Sequence, residues 1–584
     1  MTEIPMTPTH SMMHTISTQD VVKILEDIAT LLELRGDNPF KARAYARAAR
    51  NIETGDHDLS SLVSHGELSS IEGIGAALDQ KITELVTTGR MEYYERLRAS
   101  LPPGLAEMLR IQGLGPKKVG VLYKKLGVAS LGELEYACME NRLVELPGFG
   151  RKTQDGILVG ITRLKHYKER RLYAQVIEEA DMLLHSLRRQ GAVDAVSPAG
   201  ALRRRCPTIG TVDLVVSTDS PSEMRDLLPS LDCVGSVTGG TADQVTLLLQ
   251  SGMPARLFLA APAQFPHALF RATGSREHVA AMSEHARRQG LEMSDRGLLR
   301  DGVPLRFGSE EDIYAALGMA PVPPELREGM GECEAAAAGD LPRLVTRADI
   351  SGLFHLHSTF SDGSDTIEAL AREARAMGLH YIGISDHSRS ASYAGGLSIA
   401  DIERQHALID GINEGAGHFH IFKGIESDIL ADGSLDYDDS VLQSFDFVIA
   451  AVHSRFSMNE AEMNARIMRA LDNPHTTMLA HPTGRLLLAR EAYHVDVKTI
   501  IDHAARRGTI CELNANPYRL DLDWRSCRYA KDRGVSIAVN PDAHNIDGLH
   551  HISFGINTAR KGWLSPSDCI NCLGLEEIGR YLSR

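Results

Sequence analysis

The chain has 584 residues and a formal net charge of −15, a length that implies several domains at about 100–200 residues each. Hydrophobic residues make up 43% and charged residues 24%, which excludes long disorder and low-complexity fibre, while the acidity argues against coating nucleic acid by bulk electrostatics. Eight cysteines build no disulfide framework, so a reducing cytoplasm is the expected compartment.

From the N-terminus, residues 1–17 lack the basic-then-apolar order of a signal peptide and read as a flexible tail. From 18 to about 165 the pattern is helical, as in VVKILEDIATLLEL after the capping Thr18. Three related stretches interrupt it: IEGIGAALDQKI (71–82), IQGLGPKKVGVL (111–122) and LPGFGRKTQDGI (146–157). Each has Gly-x-Gly ahead of a helical run, and their irregular spacing excludes a solenoid. Segment 169–289 alternates helices with β-rich runs at TVDLVVS (211–217), QVTLLLQ (244–250) and ARLFLAA (255–261), an α+β pattern. Segment 290–345 is mixed, and the three prolines of PVPPELREGMGE rule out regular structure there. From 346 to 584, apolar runs alternate with helices and end in ligand-type residues, the mark of an α/β barrel with its site at the strand C-termini. Cys569 and Cys572 form a lone C-x-x-C, read as structural. No apolar run is long enough to span a bilayer.

Of 24 histidines, 15 lie after residue 344, and histidine is the commonest metal ligand. HLHSTFSDG supplies His355, His357 and Asp362; ISDH gives His387; GIESD, Glu426; AAVHS, His453; LAHPTG, His481; and NPDAH, Asp542 and His544. Residues two apart on a strand face the same way, so His355 and His357 are expected to grip one metal from one strand face, and Asp542 and His544 have the same strand spacing. A single strand-end histidine is usually an ordinary hydrogen-bonded residue; nine such ligands in succession are not. Mixed nitrogen and oxygen donors suit Zn, Mn or Fe better than Mg or Ca.

These motifs resemble the PHP (polymerase and histidinol phosphatase) family of metal-dependent phosphoesterases, from about 348 to 575. The resemblance implies a distorted (βα)₇ barrel and a site of two or three divalent ions. It places His355, His357, Glu426 and Asp542 around one metal, with Glu426 bridging to a second held by His453. Asp362, His387 and His544 then hold a third, and His481 completes the set. Relatives often have Gly-Asp-Leu where this chain has Gly352-Leu353-Phe354, which touches packing and not the ligands. Arg485 and Arg519 are candidate phosphate clamps, with ordinary surface arginine as the even alternative.

The Gly-x-Gly stretches resemble helix-hairpin-helix motifs at Gly73–Gly75, Gly113–Gly115 and Gly148–Gly150. Glycines let a tight turn present backbone N–H groups at a helix N-terminus to a phosphate. That reads the DNA backbone and not its sequence, and it needs little positive charge. Lys117, Lys118, Arg151 and Lys152 follow the glycines. The plain alternative is three glycine helix C-caps. The first repeat also resembles the lyase segment of DNA polymerase β, with Lys81 at the Schiff-base position; a solvated lysine on a helix face is the favoured reading there.

With GDNPFKARAY (36–45), TGSREH (273–278) and PPELREG (323–329), the whole chain from about 18 to 575 resembles bacterial family X DNA polymerase (PolX). The resemblance implies a helical DNA-binding domain (18–100), fingers with two helix-hairpin-helix motifs (101–168), a nucleotidyltransferase-like palm (169–289), thumb and linker (290–345) and PHP domain (346–584). The palm departs from the family at its chemistry. Polymerases place Asp-x-Asp on one strand and a third Asp on a neighbour to hold two Mg²⁺. Here Asp213 remains, Thr211 replaces its partner, and Arg256 falls at the third position. Gly200-Ala201 replaces the triphosphate-binding Gly-Ser, and Arg271-Ala272 the usual Tyr-Phe. Arg203 and Gly274 are the surviving nucleotide-binding candidates. One carboxylate does not cage two Mg²⁺.

The expected activity is metal-dependent DNA hydrolysis by the PHP domain, as a 3′–5′ exonuclease or 3′-end processor in DNA repair, with an inactive palm. The expected partner is DNA with gapped, nicked or single-stranded 3′ ends, and the chain is expected to be a monomer without a membrane. The rivals are a bifunctional polymerase and exonuclease, and a non-catalytic DNA-binding scaffold. Linkers near 165–170 and 335–348 leave room for the PHP domain to swing.

Overall fold

Apolar residues every third or fourth position make Thr18–Arg35 an amphipathic helix, and Val21, Leu25, Ile28 and Leu32 along it are fully buried. In a computed structural model, which describes residues 18–583 apart from 55–57, 112, 166–169, 296 and 416, this helix packs with Pro39–Thr54 in the core of the helical region. The expected tail at 1–17 lies outside the described residues. The chain divides into two units, Met1–Cys138 with Leu146–Leu164 and Met139–Glu145 with Lys165–Arg584. No described helix is long and apolar enough to cross a membrane.

In the first unit each Gly-x-Gly leads into a helix: α1 (Ala76–Thr88), α2 (Pro116–Leu126) and α3 (Arg151–Lys165).

The second unit begins with a five-stranded sheet. Its strands are β1 (Ala195–Pro198), β2 (Val212–Ser217), β3 (Val234–Thr241), β4 (Gln244–Leu249) and β5 (Pro254–Ala260), in the order β1-β2-β5-β4-β3. The three strands expected from β-rich runs are β2, β4 and β5. The next core joins Phe270, Met282, Leu298, Tyr314 and Leu326, and it takes in Trp563 from far along the chain. That core runs across the expected boundary between 289 and 290. The proline-rich stretch is more regular than expected: Pro324–Leu326 is a 3₁₀ turn and Glu332–Ala338 an α-helix. Pro324 opens its turn at the first position, where a missing N–H costs nothing.

The 335–348 linker does not leave the barrel free to swing. Leu344 and Val345 are buried, and Val345 N–H donates to the Leu564 carbonyl at 3.0 Å. Helix α4 (Ile552–Lys561) adds an ion-pair lock. Lys561, only 2% exposed, donates to the Glu328 carboxylate and to the Arg204 carbonyl. Arg204 Nε reaches the same Glu328 at 2.8 Å, and Arg560 Nε reaches Glu325 at 2.9 Å. Arg204, the 325–328 segment and helix α4 therefore meet in one buried network. Of the other linker, 166–169 lie outside the described residues.

The C-terminal part is a nearly closed barrel of seven parallel strands in chain order. They are β6 (Gly352–Leu356), β7 (Tyr381–Ile384), β8 (His420–Asp428), β9 (Phe447–Ala451), β10 (Met478–Leu479), β11 (Ile510–Asn514) and β12 (Ile537–Asn540). A bridge between Leu356 and Ala543 brings the last strand back to the first. One face of the strands carries Phe354, Tyr381, Phe422, Phe447, Ile449, Met478 and Ala538 in a shared core. The other carries Leu353, Ile382, Ile421, Val448 and Ile537, packed with the helices. Burial on both faces explains why these strands read as continuous apolar runs.

Candidate metal centre

All nine expected ligands converge at the C-terminal ends of the barrel strands. Glu426, in β8, lies at the centre. Its Oε1 is 3.2 Å from His355 Nε2, 3.2 Å from His453 Nε2 and 3.0 Å from His481 Nε2, and its Oε2 is 2.9 Å from His387 Nδ1. Asp542 Oδ1 lies 3.2 Å from His357 Nε2 and 3.5 Å from His355 Nε2. Asp362 lies 3.5 Å from His387 and 3.4 Å from His544. Overlapping groups arise, among them His355, His357 and Asp542; His355, Glu426 and His481; His387, Glu426 and His453; and His357, Asp362, His387 and His544.

The expected strand pleat is not what pairs His355 with His357, or Asp542 with His544. Strand β6 ends at Leu356 and its register shifts between Leu353 and Leu356. His355 has φ +59°, Asp542 +51° and His481 +25°, a left-handed backbone that non-glycine residues seldom adopt. The chain kinks at the strand ends and aims these side chains inward, the kind of strain that gathers at functional sites.

Burial disfavours charge on every group here, and the neighbours decide the outcome. Against burial, Glu512, Asp542 and Glu426 hold His355 well above the ordinary imidazole range. Glu426 and Asp428 lift His453 to about 10, and Asp362 and Glu140 lift His544 to about 9. Burial with the adjacent His544 and His387 lowers His357 to about 3, and burial with Arg519 lowers His481 to about 4. The imidazoles overcome burial to hold Glu426 and Asp542 well below the carboxylate range. The carboxylates thus draw positive charge to this spot. His355 Nε2, both His357 nitrogens, His544 Nε2, Glu426 Oε2 and Asp362 Oδ2 are buried without hydrogen-bond partners. Orphaned buried donors and acceptors of this kind fit divalent ions, which these residues are typed to hold.

Sequence reasoning missed the carboxylates behind the ligands. Glu512 receives His355 Nδ1 at 2.6 Å, and Asp428 receives His453 Nδ1 at 2.6 Å. Their signal was an acid inside the apolar strand ICELN and an acid two residues beyond Glu426. Arg519 is buried with Nε 3.5 Å from Asp542 Oδ2. Arg485 donates to the carbonyls of Arg519 and Leu520. Both arginines stand beside the site, with these guanidinium contacts directed to the fold itself.

Four family models match the chain: helix-hairpin-helix domain (17–91), SAM-like helix-hairpin-helix tandem (105–162), DNA polymerase beta thumb (268–328) and PHP domain (354–515). The Bacillus subtilis protein named DNA polymerase/3′-5′ exonuclease PolX is 36% identical over 97% of this chain and 99% of its own length. The chain belongs to the PolX family. Proteins named probable phosphatase match about a third of this PolX chain. The one from Syntrophotalea carbinolica is 26% identical over 37% of the chain and 90% of its own length. Another, from Caldicellulosiruptor saccharolyticus, is 29% identical over 32% of the chain and 78% of its own length.

In the palm of this PolX chain, β2 and β5 are parallel neighbours and Asp213 stands directly opposite Arg256. Arg256 Nε donates to Asp213 Oδ1 at 2.9 Å. Burial raises the Asp213 pKa and Arg256 offsets that only in part. Thr211 precedes the strand. Gly200 has φ +54°, and a Cβ there would lie 2.3 Å from Asp213 Oδ2, so only glycine fits. Ala201 packs against the palm core. Arg203 donates to Thr273 at 2.7 Å and to buried Glu310 at 2.5 Å. A Cβ on Gly274 would lie 2.8 Å from the His278 ring. Arg271 pairs with Asp295.

The three glycine turns share one geometry. Gly73, Gly113 and Gly148 have φ of +89°, +89° and +86°. Gly75 and Gly115 are N-caps of α1 and α2, and Gly150 immediately precedes α3. The second glycines therefore sit at helix starts and are not C-caps. Lys117 and Lys118 fall in the first turn of α2, and Arg151 and Lys152 in that of α3. Lys81 is not a solvated lysine on a helix face. Its Nζ donates to Tyr45 Oη at 2.7 Å and lies 4.1 Å from the centre of the Tyr93 ring. Burial and nearby Lys41 lower its pKa.

Proposed function

We propose that this chain hydrolyses DNA phosphodiester bonds at 3′ ends, as a metal-dependent 3′–5′ exonuclease or 3′-end processor. The observation that carries the reading is the convergence of nine ligand-type side chains, five imidazoles of them around Glu426, with orphaned buried donors and acceptors. His355, His357 and Asp542 would hold one ion, His387, Glu426 and His453 a second, and Asp362 with His544 a third, with His481 completing the set. Zn, Mn or Fe suits these donors. Such ions supply an activated water near neutral pH and neutralise phosphoryl oxygens. The chain's own part is to hold these side chains in place: the kinked strand ends aim them, and Asn514 and Arg519 secure Asp542 Oδ2. Arg485 and Arg519 are kept as phosphate clamps only through whatever donor capacity the fold leaves them.

DNA with gapped, nicked or single-stranded 3′ ends is the proposed substrate. The glycine turns at Gly73, Gly75, Gly113, Gly115, Gly148 and Gly150 would hold its phosphates, with Lys117, Lys118, Arg151 and Lys152. The palm is inert in this reading, because Asp213 already has a cation in Arg256. A bifunctional polymerase would need Asp213 to abandon it. A non-catalytic scaffold would leave the barrel's buried donors without purpose.

The test is a nuclease panel on labelled single-stranded, nicked and gapped DNA with Mn²⁺, comparing wild type with His355→Ala. Metal-dependent shortening from the 3′ end is expected, and its loss in the variant. Untouched DNA in every wild-type lane would sink the proposal. We also read Lys81 as a candidate amine toward abasic DNA, favoured by its lowered pKa and aromatic surroundings. Borohydride trapping of an abasic strand, lost in Lys81→Ala, checks that reading.

A further inference from the structure

We infer that Glu512 and Asp428 are positioning residues that fix the tautomers of His355 and His453, so that both imidazoles turn Nε2 toward the bound ions. The inference rests on the metal-centre reading above and adds the residues that orient its ligands.

Glu512 is fully buried in β11. Its Oε1 accepts from His355 Nδ1 at 2.6 Å and Asn540 Nδ2 at 3.0 Å. Its Oε2 accepts from the His481 backbone N–H at 2.8 Å and Asn514 Nδ2 at 3.2 Å. The Asn514 amide is oriented independently, because its Oδ1 accepts from the Asn516 N–H at 3.0 Å. Both oxygens are thus taken up as acceptors, two donors each, and the one facing the ring stands ready to accept from it. His355 Nδ1 is then the donor, and Nε2 is the ring nitrogen turned toward Glu426 and Asp542, where its lone pair would meet a bound ion. That Nε2 has no hydrogen-bond partner.

Asp428 repeats the arrangement two residues beyond Glu426. Its Oδ1 accepts from His453 Nδ1 at 2.6 Å and its Oδ2 from Ser390 Oγ at 2.8 Å. His453 Nε2 again points to Glu426 Oε1. His481 differs. Its Nε2 also meets Glu426, but its buried Nδ1 has no hydrogen-bond partner. So two ligands on Glu426 are backed by carboxylates and a third is not. Carboxylates behind metal-binding imidazoles fix ring orientation, and their loss costs about 10–100-fold in metal affinity.

The experiment uses the full chain and Zn²⁺ affinity, measured by competition with a chromophoric chelator. Glu512→Gln and Asp428→Asn are each expected to weaken Zn²⁺ binding by about 10–100-fold, with excess Zn²⁺ restoring occupancy. The decisive arm is a pair of double variants. Asp428→Asn should cost nothing further on a His453→Ala background, because it acts through that ring, and should add its full effect on His481→Ala. Glu512→Gln on His355→Ala should keep only the smaller part of its effect that runs through the His481 N–H and Asn514. If Glu512→Gln fails to fold, as circular dichroism would show, the Asp428 series decides alone. Unchanged affinity in the single variants, or an additive loss on His453→Ala, overturns the inference. A wild-type chain that binds no Zn²⁺ overturns the metal-centre reading instead.

Discussion

Asp213 in the palm and Glu426 in the barrel are both buried acids on parallel strands at the heart of a site. Asp213 faces Arg256 across one strand at 2.9 Å, and Glu426 faces the imidazoles of His355, His387, His453 and His481. A guanidinium is a permanent cation, so the palm acid has a fixed positive partner within the fold. An imidazole can be neutral, and a neutral one donates a lone pair instead of charge. The barrel therefore gathers three carboxylates among six imidazoles, whose charge is conditional, so protons or metal ions can balance the acids there. One partner type closes a metal site and the other opens it.

The largest effect tests the barrel half of this contrast. Glu426→Ala or His355→Ala should lower DNA hydrolysis by more than about 100-fold and release bound metal together, measured by gel assay and elemental analysis. Full activity in either would remove the contrast altogether. Next is the lock that makes the palm part of the barrel's unit. Lys561→Ala leaves Glu328 buried beside Arg204 alone and should cost about 3 kcal/mol. Calorimetry should show an earlier transition, whereas an unchanged melting curve would mean the palm and barrel are only loosely joined.

A smaller change belongs to the palm. Arg256→Ala should destabilise by about 1–2 kcal/mol, because Asp213 loses its partner while the arginine itself was 40% exposed. In primer extension with Mg²⁺ or Mn²⁺, wild type should add no nucleotide. Robust extension lost on Asp213→Ala would break the comparison on this side. The smallest effect is in pH. Burial opposes charge on Glu325 and Glu328, but Arg560 and Lys561 win and hold both below their ordinary value of 4.5. A depressed acid contributes stability above its unfolded pKa and loses it as pH falls through the folded one. Acid titration followed by fluorescence should therefore show no loss from these groups at pH 5–7 and a progressive loss below about pH 4.5. A decline complete by pH 6 would point elsewhere.

The ligands were legible because imidazoles and acids at the ends of apolar runs have few other reasons to recur together. Arg256 was legible for a simpler reason: a count back from the Thr273 turn reaches it, and Asp213 and Arg256 are direct neighbours in the sheet. The left-handed backbone at His355 and Asp542 was not legible, since neither residue type announces a positive φ as glycine does. Glu512 hid because an acid in a strand gives no hint of which ring it meets, and His355 is far away in sequence. Lys561 and Glu328 are 233 residues apart, so only the fold pairs them, and the swing expected of the 335–348 linker fell with that pairing. Lys81 read as solvated because Tyr45 and Tyr93 come from other helices.

The shared backbone of the three glycine turns has a consequence for ionic strength. A lysine that meets a phosphate displaces a condensed counterion, and each such contact steepens the fall of affinity with salt. A helix-start amide offers only the partial charge of the peptide dipole. DNA gripped mainly by those amides should dissociate along a shallow salt curve, set by the few basic followers at 117, 118, 151 and 152. An acidic protein of this build would keep its hold on a polyanion in salt that strips lysine-dependent binders away.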